Sequence, residues 1–504
     1  MEIQFSNLVA FLLFLSSIFL VFKKWKTRKL NLPPGPWKLP FIGSLHHLAV
    51  AGPLPHHGLK NLAKRYGPLM HLQLGQIPTL VISSPQMAKE VLKTHDLAFA
   101  TRPKLVVADI IHYDSTDIAF SPYGEYWRQI RKICILELLS AKMVKFFSSI
   151  RQDELSKMVS SIRTTPNLPV NLTDKIFWFT SSVICRSALG KICGDQDKLI
   201  IFMREIISLA GGFSIADFFP TWKMIHDIDG SKSKLVKAHR KIDEILENVV
   251  NEHKQNRADG KKGNGEFGGE DLIDVLLRVR ESGEVQIPIT DDNIKSILID
   301  MFSAGSETSS TTIIWALAEM MKKPSVLAKA QAEVRQALKG KKISFQEIDI
   351  DKLKYLKLVI KETLRMHPPI PLLVPRECME DTKIDGYNIP FKTRVIVNAW
   401  AIGRDPQSWD DPESFTPERF ENNSIDFLGN HHQFIPFGAG RRICPGMLFG
   451  LANVGQPLAQ LLYHFDWKLP NGQSHENFDM TESPGISATR KDDLVLIATP
   501  YDSY

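Results

Sequence analysis

Cysteine is scarce in this chain of 504 residues, and the five cysteines do not form a recognisable set. They stand at Cys134, Cys185, Cys193, Cys378 and Cys444, without the short spacings of a zinc finger. An odd and sparse set argues against a disulfide framework and favours a reducing compartment. A fold that depends on disulfide bonds is therefore not expected.

Net charge is also low outside one short segment. Of the total of +6, residues 1–30 contribute +4, because this segment contains five lysines and arginines and only one acidic residue, Glu2. The other 474 residues together carry +2. A nucleic-acid-binding protein spreads its basic excess over a binding face. The charge distribution thus excludes a nucleic-acid partner and draws attention to the N-terminus.

Linkers and repeats are missing as well. No stretch rich in glycine and serine divides the body of the chain, and no segment recurs. Asp259 to Gly269 is rich in glycine and lysine, but it is short and predicts an exposed loop. A hydrophobic content of 43% is ordinary for a globular protein. We therefore expect one large domain.

The N-terminus contains a long apolar run. From Phe5 to Phe22 there is no charged residue, and about 20 apolar residues span a bilayer core. A cleaved secretory signal would carry its positive charge before the run. Here Lys23, Lys24 and Lys26 follow it, with Trp25 among them. This order predicts one retained transmembrane helix with its basic end in the cytosol.

The segment after the basic flank is rich in proline. Leu32 to Trp37 contains three prolines, which stiffen a chain and predict a short rigid spacer. Two glycosylation sequons begin at Asn171 and Asn422. If the body faces the cytosol, both should stay unmodified.

The body combines a few strand patterns with many helical ones. Met70–Leu74 and Thr79–Ile82 are strand-like, and Asp385-Gly386 predicts a tight hairpin turn before the strand-like Arg394–Val397. Most other periodic segments are helical. We predict a mainly α fold with small peripheral β-sheets, preceded by the transmembrane helix.

The most informative stretch is Phe437–Gly446, which holds three glycines, two arginines and Cys444 in ten residues. Glycine lets a bulky partner approach the main chain closely. Amide hydrogens in such a loop can hold a thiolate ionised and tune a metal that it binds. Taken alone, Cys444 could equally be a small buried hydrophobic residue, as most cysteines without a partner are.

The spacing of this stretch resembles a known family signature. Phe437, Gly440, Arg442, Cys444 and Gly446 reproduce the haem-binding pattern Phe-x-x-Gly-x-Arg-x-Cys-x-Gly of the cytochrome P450 superfamily. The resemblance implies the fold of that family and haem b with Cys444 as the axial ligand of the iron. A thiolate ligand favours cleavage of the O–O bond of dioxygen. The expected activity is that of a haem-thiolate monooxygenase.

A second motif lies in a long apolar helix that begins after Thr290, a plausible N-cap. Its middle, Ala304–Ser309, matches the family's distal motif. By that resemblance Gly305 makes room for dioxygen, Thr308 organises the water that delivers protons, and Glu307 helps to relay them. From the residues alone, the same polar cluster could simply ease helix packing.

Further residues take their predicted roles from the same resemblance. Glu362, Arg365 and Arg419 are expected to form a buried structural clamp. Breaking such a network leaves a buried charge without its partner. Haem propionates are expected to be held by four side chains, Trp127, Arg131, Arg376 and Arg442. His431 and His432 are rival iron ligands, but neither lies in a glycine-rich loop, and we expect both on a surface loop.

The substrate pocket is predicted by resemblance to the loop before Trp127, the distal helix, the segment after His367 and a late turn. Its almost wholly apolar lining would accept a hydrophobic small molecule. The residues are Ile110, Ile111, Ser303, Ala304, Leu372, Leu373, Val374 and Ile486. Over its full length the chain looks most like plant microsomal members that oxidise terpenes, particularly sesquiterpenes.

Partners and location follow from the resemblance too. No dinucleotide-binding fingerprint and no flavin or iron–sulfur motif occurs, so electrons must come from outside. We expect NADPH-cytochrome P450 reductase as donor, with Arg128, Lys132 and Arg441 on its docking face, and O2 and membrane lipid as the other partners. The expected location is the endoplasmic reticulum membrane with the catalytic part in the cytosol. The expected division is 1–30 anchor and basic flank, 31–40 hinge and 41–504 haem-binding monooxygenase domain.

Two other functions fit part of the sequence. A haem-thiolate isomerase or dehydratase would rearrange an oxygenated lipid without a reductase, but it needs no proton relay of the kind expected at Gly305, Glu307 and Thr308. A non-enzymatic, membrane-tethered haem-binding protein would need neither the distal motif nor an apolar pocket.

Overall fold

The computed structural model describes residues 16–17, 30–190, 195–210, 214–222, 228, 230–261, 263, 265, 269–283, 288–339 and 350–501. Most of the predicted membrane anchor, Phe5–Phe22, lies outside these residues. Among the helices that the structure does describe, none combines the length and apolar character of a membrane span.

Helices make up most of the described chain. In order they are α1 Leu45–Val50, α2 Pro55–Tyr66, α3 Pro85–Lys89, α4 Val106–Ile111, α5 Glu125–Cys134, α6 Ala141–Phe146, α7 Ser148–Arg163, α8 Leu172–Leu189, α9 Gln196–Ala210, α10 Ile215–Phe218, α11 Ser231–Ala258, α12 Leu272–Ser282, α13 Asp291–Lys322, α14 Pro324–Leu338, α15 Lys354–Met366, α16 Ala399–Ile402 and α17 Met447–His464. Single π-turns extend α3 over Glu90–Thr94 and α5 over Ile135–Leu139.

The strands form three small sheets. They are β1 Leu69–Leu74, β2 Ile77–Ile82, β3 Pro169–Asn171, β4 Arg376–Glu377, β5 Thr382–Ile384, β6 Tyr387–Ile389, β7 Arg394–Val397, β8 Phe465–Lys468 and β9 Val495–Pro500. One sheet has the order β1-β2-β7-β4, another β3-β9-β8, and β5 and β6 form a hairpin. The prediction of a mainly helical fold with small sheets is confirmed.

Local signals explain several of these boundaries. The side chain of Thr290 accepts the N–H of Asn293 and caps α13, as predicted. At the β5–β6 turn Asp385 and Gly386 have φ of 49° and 79°, the left-handed conformation that a two-residue hairpin turn requires. Helix α15 ends at Met366, because the following His367-Pro368 disfavours helix continuation.

Helix α13 lies at the centre of the largest hydrophobic cluster and packs against α8, α15 and α17. Most residues of this 32-residue helix are buried. Apart from its two ends, the less buried residues lie in a short interval around Ala304, where the side chains border an internal cavity. Two smaller hydrophobic clusters lie on the two opposite faces of the four-stranded sheet. The fold thus places the middle of α13 opposite the start of α17.

Candidate active site

The glycine-rich loop before α17 closes on itself. The N–H of Cys444 donates to the carbonyl of Phe437 at 3.0 Å, and Gly438 and Gly440 have φ of 70° and 71°. A Cβ at Gly440 would lie 2.2 Å from the carbonyl oxygen of Leu92, so no other residue fits there without moving backbone. The loop therefore needs its glycines for the turn and for close packing.

The loop presents the sulfur of Cys444 to a cavity of about 340 Å³. Burial raises the pKa of this thiol, while the N–H of Gly446 and the charge of Arg131 lower it. A thiolate here would therefore be stabilised by one amide donor and one guanidinium, and a bound cation would stabilise it further. Phe437 and Gly446 also border the cavity, whereas Gly440 does not.

Four arginines line the same cavity. They are Arg102, Arg131, Arg376 and Arg442. Burial lowers the pKa of each, to about 10 for Arg376 and about 9 for Arg442, and their mutual repulsion adds to the effect at Arg102 and Arg442. Arg131, Arg376 and Arg442 were predicted from the sequence, but Arg102 was not. The guanidinium of Arg102 donates to the backbone carbonyls of Ala119, Val374 and Pro375.

The charge of this arginine cluster is only partly balanced. Carbonyl oxygens satisfy N–H donors, as for Arg442, which donates to Ala100, Ile118 and Ser121, but they carry no full charge. Asp96 lies 3.4 Å from Arg376. Several buried guanidiniums around few carboxylates favour an anionic ligand.

Trp127 does not face the cavity. Its indole N–H donates to the carbonyl of Ile118 at 3.0 Å, and the guanidiniums of Arg442 and Arg131 lie 4.1 and 5.3 Å from its ring centre. Its predicted contact with a haem propionate stays a prediction. The structure assigns it a packing role that orients two arginines of the cluster.

The middle of α13 forms the opposite wall of the cavity. Ser303, Ala304, Gly305, Glu307 and Thr308 all line it. The hydroxyl of Thr308 donates to the carbonyl of Ala304 at 2.6 Å, one turn earlier. Such a bond competes with the helix ladder and loosens it locally. The polar motif predicted from the sequence therefore faces the sulfur-bearing wall across open space.

Gly305 lines the cavity next to Ile184, and its expected role in making room for dioxygen stays a prediction. A Cβ at this position would lie 3.3 Å from Cδ1 of Ile184 on α8. The missing side chain thus allows α13 and α8 to pack closely, because the Cα–Cβ direction points at the neighbouring helix. Ala304, whose small side chain is exposed, lines the cavity one residue earlier.

Glu307 lies between two spaces. It lines the main cavity and a second, more polar cavity of about 250 Å³ that also contains Arg204 and Arg490. Burial raises the pKa of Glu307, and the charge of Arg204 lowers it. The net upward shift lets this carboxyl keep a proton to higher pH than an exposed glutamate. It is therefore suited to pass protons from the polar cavity to the main one.

The three members of the predicted clamp meet. Arg365 makes two bonds to Glu362, at 2.7 and 2.8 Å, and Arg419 makes one at 2.9 Å. Glu362 and Arg365 are fully buried. Arg365 also donates to the carbonyls of Gly403 and Pro412, so the clamp ties α15 to the loop that precedes the cysteine loop.

Six of the eight predicted substrate residues line the cavity. They are Ile111, Ser303, Ala304, Leu373, Val374 and Ile486. Ile110 and Leu372 do not: Ile110 packs on the main core, and Leu372 packs on the hydrophobic cluster at one face of the four-stranded sheet. Each is the immediate neighbour of a lining residue, and adjacent side chains point in different directions.

His431 and His432 do not line the cavity, so neither is placed to compete with Cys444. His432 is buried rather than on the surface, where we expected it.

These observations agree with the group that the sequence pattern implies. A thiol with an amide donor, glycines where a side chain would clash, and a partly uncompensated arginine cluster fit an iron porphyrin that carries two carboxylates. Cys444 would hold the iron, and Arg102, Arg131, Arg376 and Arg442 would hold the propionates.

Comparison with known proteins gives the same assignment. The family "Cytochrome P450" matches residues 33–497. Premnaspirodiene oxygenase from Hyoscyamus muticus is 60% identical over 501 residues, and 5-epiaristolochene 1,3-dihydroxylase from Nicotiana tabacum is 60% identical over 503, each covering 99% of both chains.

The fold is also shared with solved structures. A structure of a zebrafish cytochrome P450 with abiraterone superposes with a TM-score of 0.74 at 27% identity, covering 89% of this chain and all of the other. A structure of a zebrafish cytochrome P450 with progesterone gives a TM-score of 0.75 at 27% identity, covering 88% of this chain and 99% of the other. The chain belongs to the cytochrome P450 family and is a haem-thiolate monooxygenase.

Proposed function

We propose that this monooxygenase hydroxylates a hydrophobic terpenoid, of the sesquiterpene class. The observation that carries the proposal is the apolar cavity between Cys444 and α13. Its aliphatic side chains, such as Ile111, Leu373 and Ile486, recognise a hydrocarbon by shape. Two full-length relatives at 60% identity are named for the oxidation of premnaspirodiene and 5-epiaristolochene, both sesquiterpenes.

The bound haem supplies the activation of dioxygen, and the chain supplies position and protons. Apolar side chains exclude water and orient the hydrocarbon. Glu307, with its raised pKa, holds a proton at the border of the polar cavity. The hydroxyl of Thr308, one residue on, donates its own proton to the carbonyl of Ala304, so its oxygen can accept a hydrogen bond from a water on the cavity side.

The test is product analysis after co-expression with a plant reductase. Premnaspirodiene, 5-epiaristolochene and other sesquiterpene hydrocarbons are supplied in turn, with and without NADPH. We expect one or more hydrocarbons to give an alcohol only when NADPH and reductase are both present. A correctly loaded enzyme that oxidises none of the panel would refute the substrate class, and turnover without NADPH would favour an isomerase.

Thr308→Ala should uncouple electron use from product formation. The change removes the hydroxyl that we assign to proton delivery, and general acid–base groups contribute about 10²–10⁴-fold to rates. We expect product per NADPH to fall severalfold or more while NADPH consumption continues. The measurement is the ratio of alcohol formed to NADPH oxidised.

Thr312→Ala is the matched control, because its hydroxyl makes the same bond one turn later, to the carbonyl of Thr308 at 2.8 Å. It should keep most of the coupling. Equal product per NADPH in the parent and Thr308→Ala would rule out the assigned role.

We also propose that the chain is anchored in the endoplasmic reticulum membrane, faces the cytosol and takes electrons from NADPH-cytochrome P450 reductase. The apolar run 5–22 and its basic flank support the anchor. Arg128, Lys132 and Arg441 are exposed, which supports a basic docking face.

The first sequon gives an independent argument for the orientation. The amide nitrogen of Asn171 donates to Asp174 and Asp493, and its oxygen caps α8. A glycan on that nitrogen would break these bonds. Absence of any glycosidase-sensitive shift in the protein expressed in plant cells is expected, and a shift would place the body in the lumen.

A further inference from the structure

A cluster of three histidines and one glutamate has no role in the activity described so far and does not line the main cavity. His56 and His57 lie in the first turn of α2, His367 follows α15, and Glu482 lies between β8 and β9. One potential ligand atom from each of His56, His57 and Glu482 lies within 4.8 Å of the other two. The fold thus brings together three segments that are far apart in the chain.

Glu482 is at the centre of the cluster, and its side chain is 7% exposed. Its Oε2 atom lies 2.7 Å from Nε2 of His56 and 3.5 Å from Nε2 of His57. Its Oε1 atom lies 3.7 Å from Nδ1 of His367. Burial alone would raise the pKa of Glu482, but the three histidines lower it well below the usual value for a glutamate. The carboxylate is therefore ionised at neutral pH although it is buried.

Two of the surrounding imidazole nitrogens lack a partner. Nε2 of His57 and Nδ1 of His367 are buried and make no hydrogen bond with the part of the chain that the structure describes. His367 is itself 5% exposed, and its other nitrogen is bonded to Glu319 at 2.8 Å. Native proteins seldom leave a buried polar atom without a partner, because its desolvation is then uncompensated. Both atoms lie beside the carboxylate of Glu482, where a cation would be held.

The donor set selects a metal ion of the zinc class. Zn²⁺ commonly binds imidazoles together with a carboxylate, whereas Mg²⁺ and Ca²⁺ prefer oxygen atoms. The ligand atoms of tetrahedral zinc lie about 3.4 Å apart, close to the 3.5 Å between His57 and Glu482. Nε2 of His56 is nearer to the carboxylate because the two share a proton. Zinc would displace that proton, which the other ring nitrogen can carry.

Neighbouring residues orient the site and leave it accessible. The ring of His57 stacks on Trp400 with the ring centres 4.0 Å apart, which sets the direction of Nε2. The nearby cations Lys60 and Arg404 both contact Glu413, at 2.8 and 3.1 Å, so their charges are partly balanced. The side chain of His57 is 42% exposed, which provides the entry path that a metal site needs.

We propose that His56, His57 and Glu482 bind one zinc ion, with water in the fourth position. His367 orients the carboxylate from its other side, as supporting residues do in metal sites. The ion joins α2 to the segment between β8 and β9, and Ile486 of that segment lines the substrate cavity. Zinc therefore stabilises one edge of the pocket and takes no part in the oxygen chemistry. The proposal is independent of the class of substrate.

His57→Phe tests the site, because it keeps a ring to stack on Trp400 but removes Nε2, which has no hydrogen-bond partner in the described chain. The haem-loaded, full-length enzyme is treated with a chelator and titrated with Zn²⁺ in competition with a coloured zinc indicator. We expect the parent to take up one zinc ion per chain and the variant to bind it at least tenfold more weakly, because loss of a group that merely supports a ligand already costs about 10–100-fold.

Thermal unfolding provides a second measurement. An ion that binds only the folded protein stabilises it, so Zn²⁺ should raise the unfolding temperature of the parent and leave that of His57→Phe unchanged. Mg²⁺ at the same concentration should raise neither, because the site offers two nitrogen ligands. A retained carbon-monoxide band shows that the variant is folded and loaded with haem.

His95→Phe is the matched control. Nε2 of His95 also lies near a glutamate, 3.6 Å from Oε2 of Glu90, but among the described residues this pair belongs to no group of three potential ligands. The control should leave zinc binding unchanged. A parent that takes up no zinc, or that binds it equally well after His57→Phe, would overturn the site. Equal weakening by both variants would show adventitious binding only and would overturn it as well.

Discussion

Cys444→Ser should abolish the red-shifted carbon-monoxide band of the reduced protein and, with it, turnover. The sulfur of Cys444 borders the cavity and has the Gly446 N–H and the Arg131 charge to stabilise its ionised form. A serine hydroxyl ionises far less readily and donates less electron density to iron. Loss of residues that only support a metal ligand costs about 10–100-fold, so loss of the ligand should cost more.

The measurement pairs the carbon-monoxide difference spectrum with product formation. Cys378→Ser is the control, because this cysteine is also buried but its thiol donates to the carbonyl of Glu380, on the sheet side of the molecule. It should keep the band. A Cys444→Ser protein that kept the red-shifted band and full turnover would mean that another residue holds the iron.

Glu362→Ala should unfold the protein at much lower temperature or prevent haem uptake during expression. The change leaves Arg365 and Arg419 without the carboxylate that both contact. Removing one partner of a buried ion pair costs about 3–5 kcal/mol, which is a large part of typical domain stability. Haem content per protein and thermal unfolding measure the effect.

An exposed pair with the same spacing provides the comparison. Asp195 and Lys198 are also three residues apart, at 2.6 Å, but both side chains are largely exposed. Asp195→Ala should therefore lower stability far less than Glu362→Ala does. If both substitutions had the same small effect, the clamp would have no special structural role.

Local sequence signals predicted many elements because they depend on neighbouring residues only. The cap at Thr290 and the Asp385-Gly386 turn need three or four consecutive residues to form, and the structure has both. The motif around Cys444 was recognisable for the same reason, because its glycines and its cysteine all lie within ten consecutive residues.

Other parts of the site could not be read from the sequence. Arg102 joins the arginine cluster through contacts to residues 374 and 375, about half the chain away. Asp300 meets residues 118 and 119 in the same way. One signal was present for Asp300: a carboxylate in an otherwise apolar helix, one turn before Ala304, is costly unless it has partners.

Side-chain direction separated neighbouring residues. Ile110 and Leu372 were assigned to the pocket together with Ile111 and Leu373, but only the second residue of each pair lines it. Gly305 lines the cavity as expected, and a Cβ at that position would approach Ile184, which lines it too. The sequence can predict which segment lies near a site. Which of its side chains point into the site depends on how the helix or loop is rotated against its neighbours.

The sequence by itself determined the cofactor chemistry and the family of this protein, because the cysteine loop and the distal motif are short and their spacing is strict. Tertiary structure alone decided which side chains share the cavity, that four arginines accumulate there, and that a carboxyl and an imidazole interrupt its apolar wall. The physical reason is that those contacts join residues far apart in the chain, so their geometry exists only once the helices have packed.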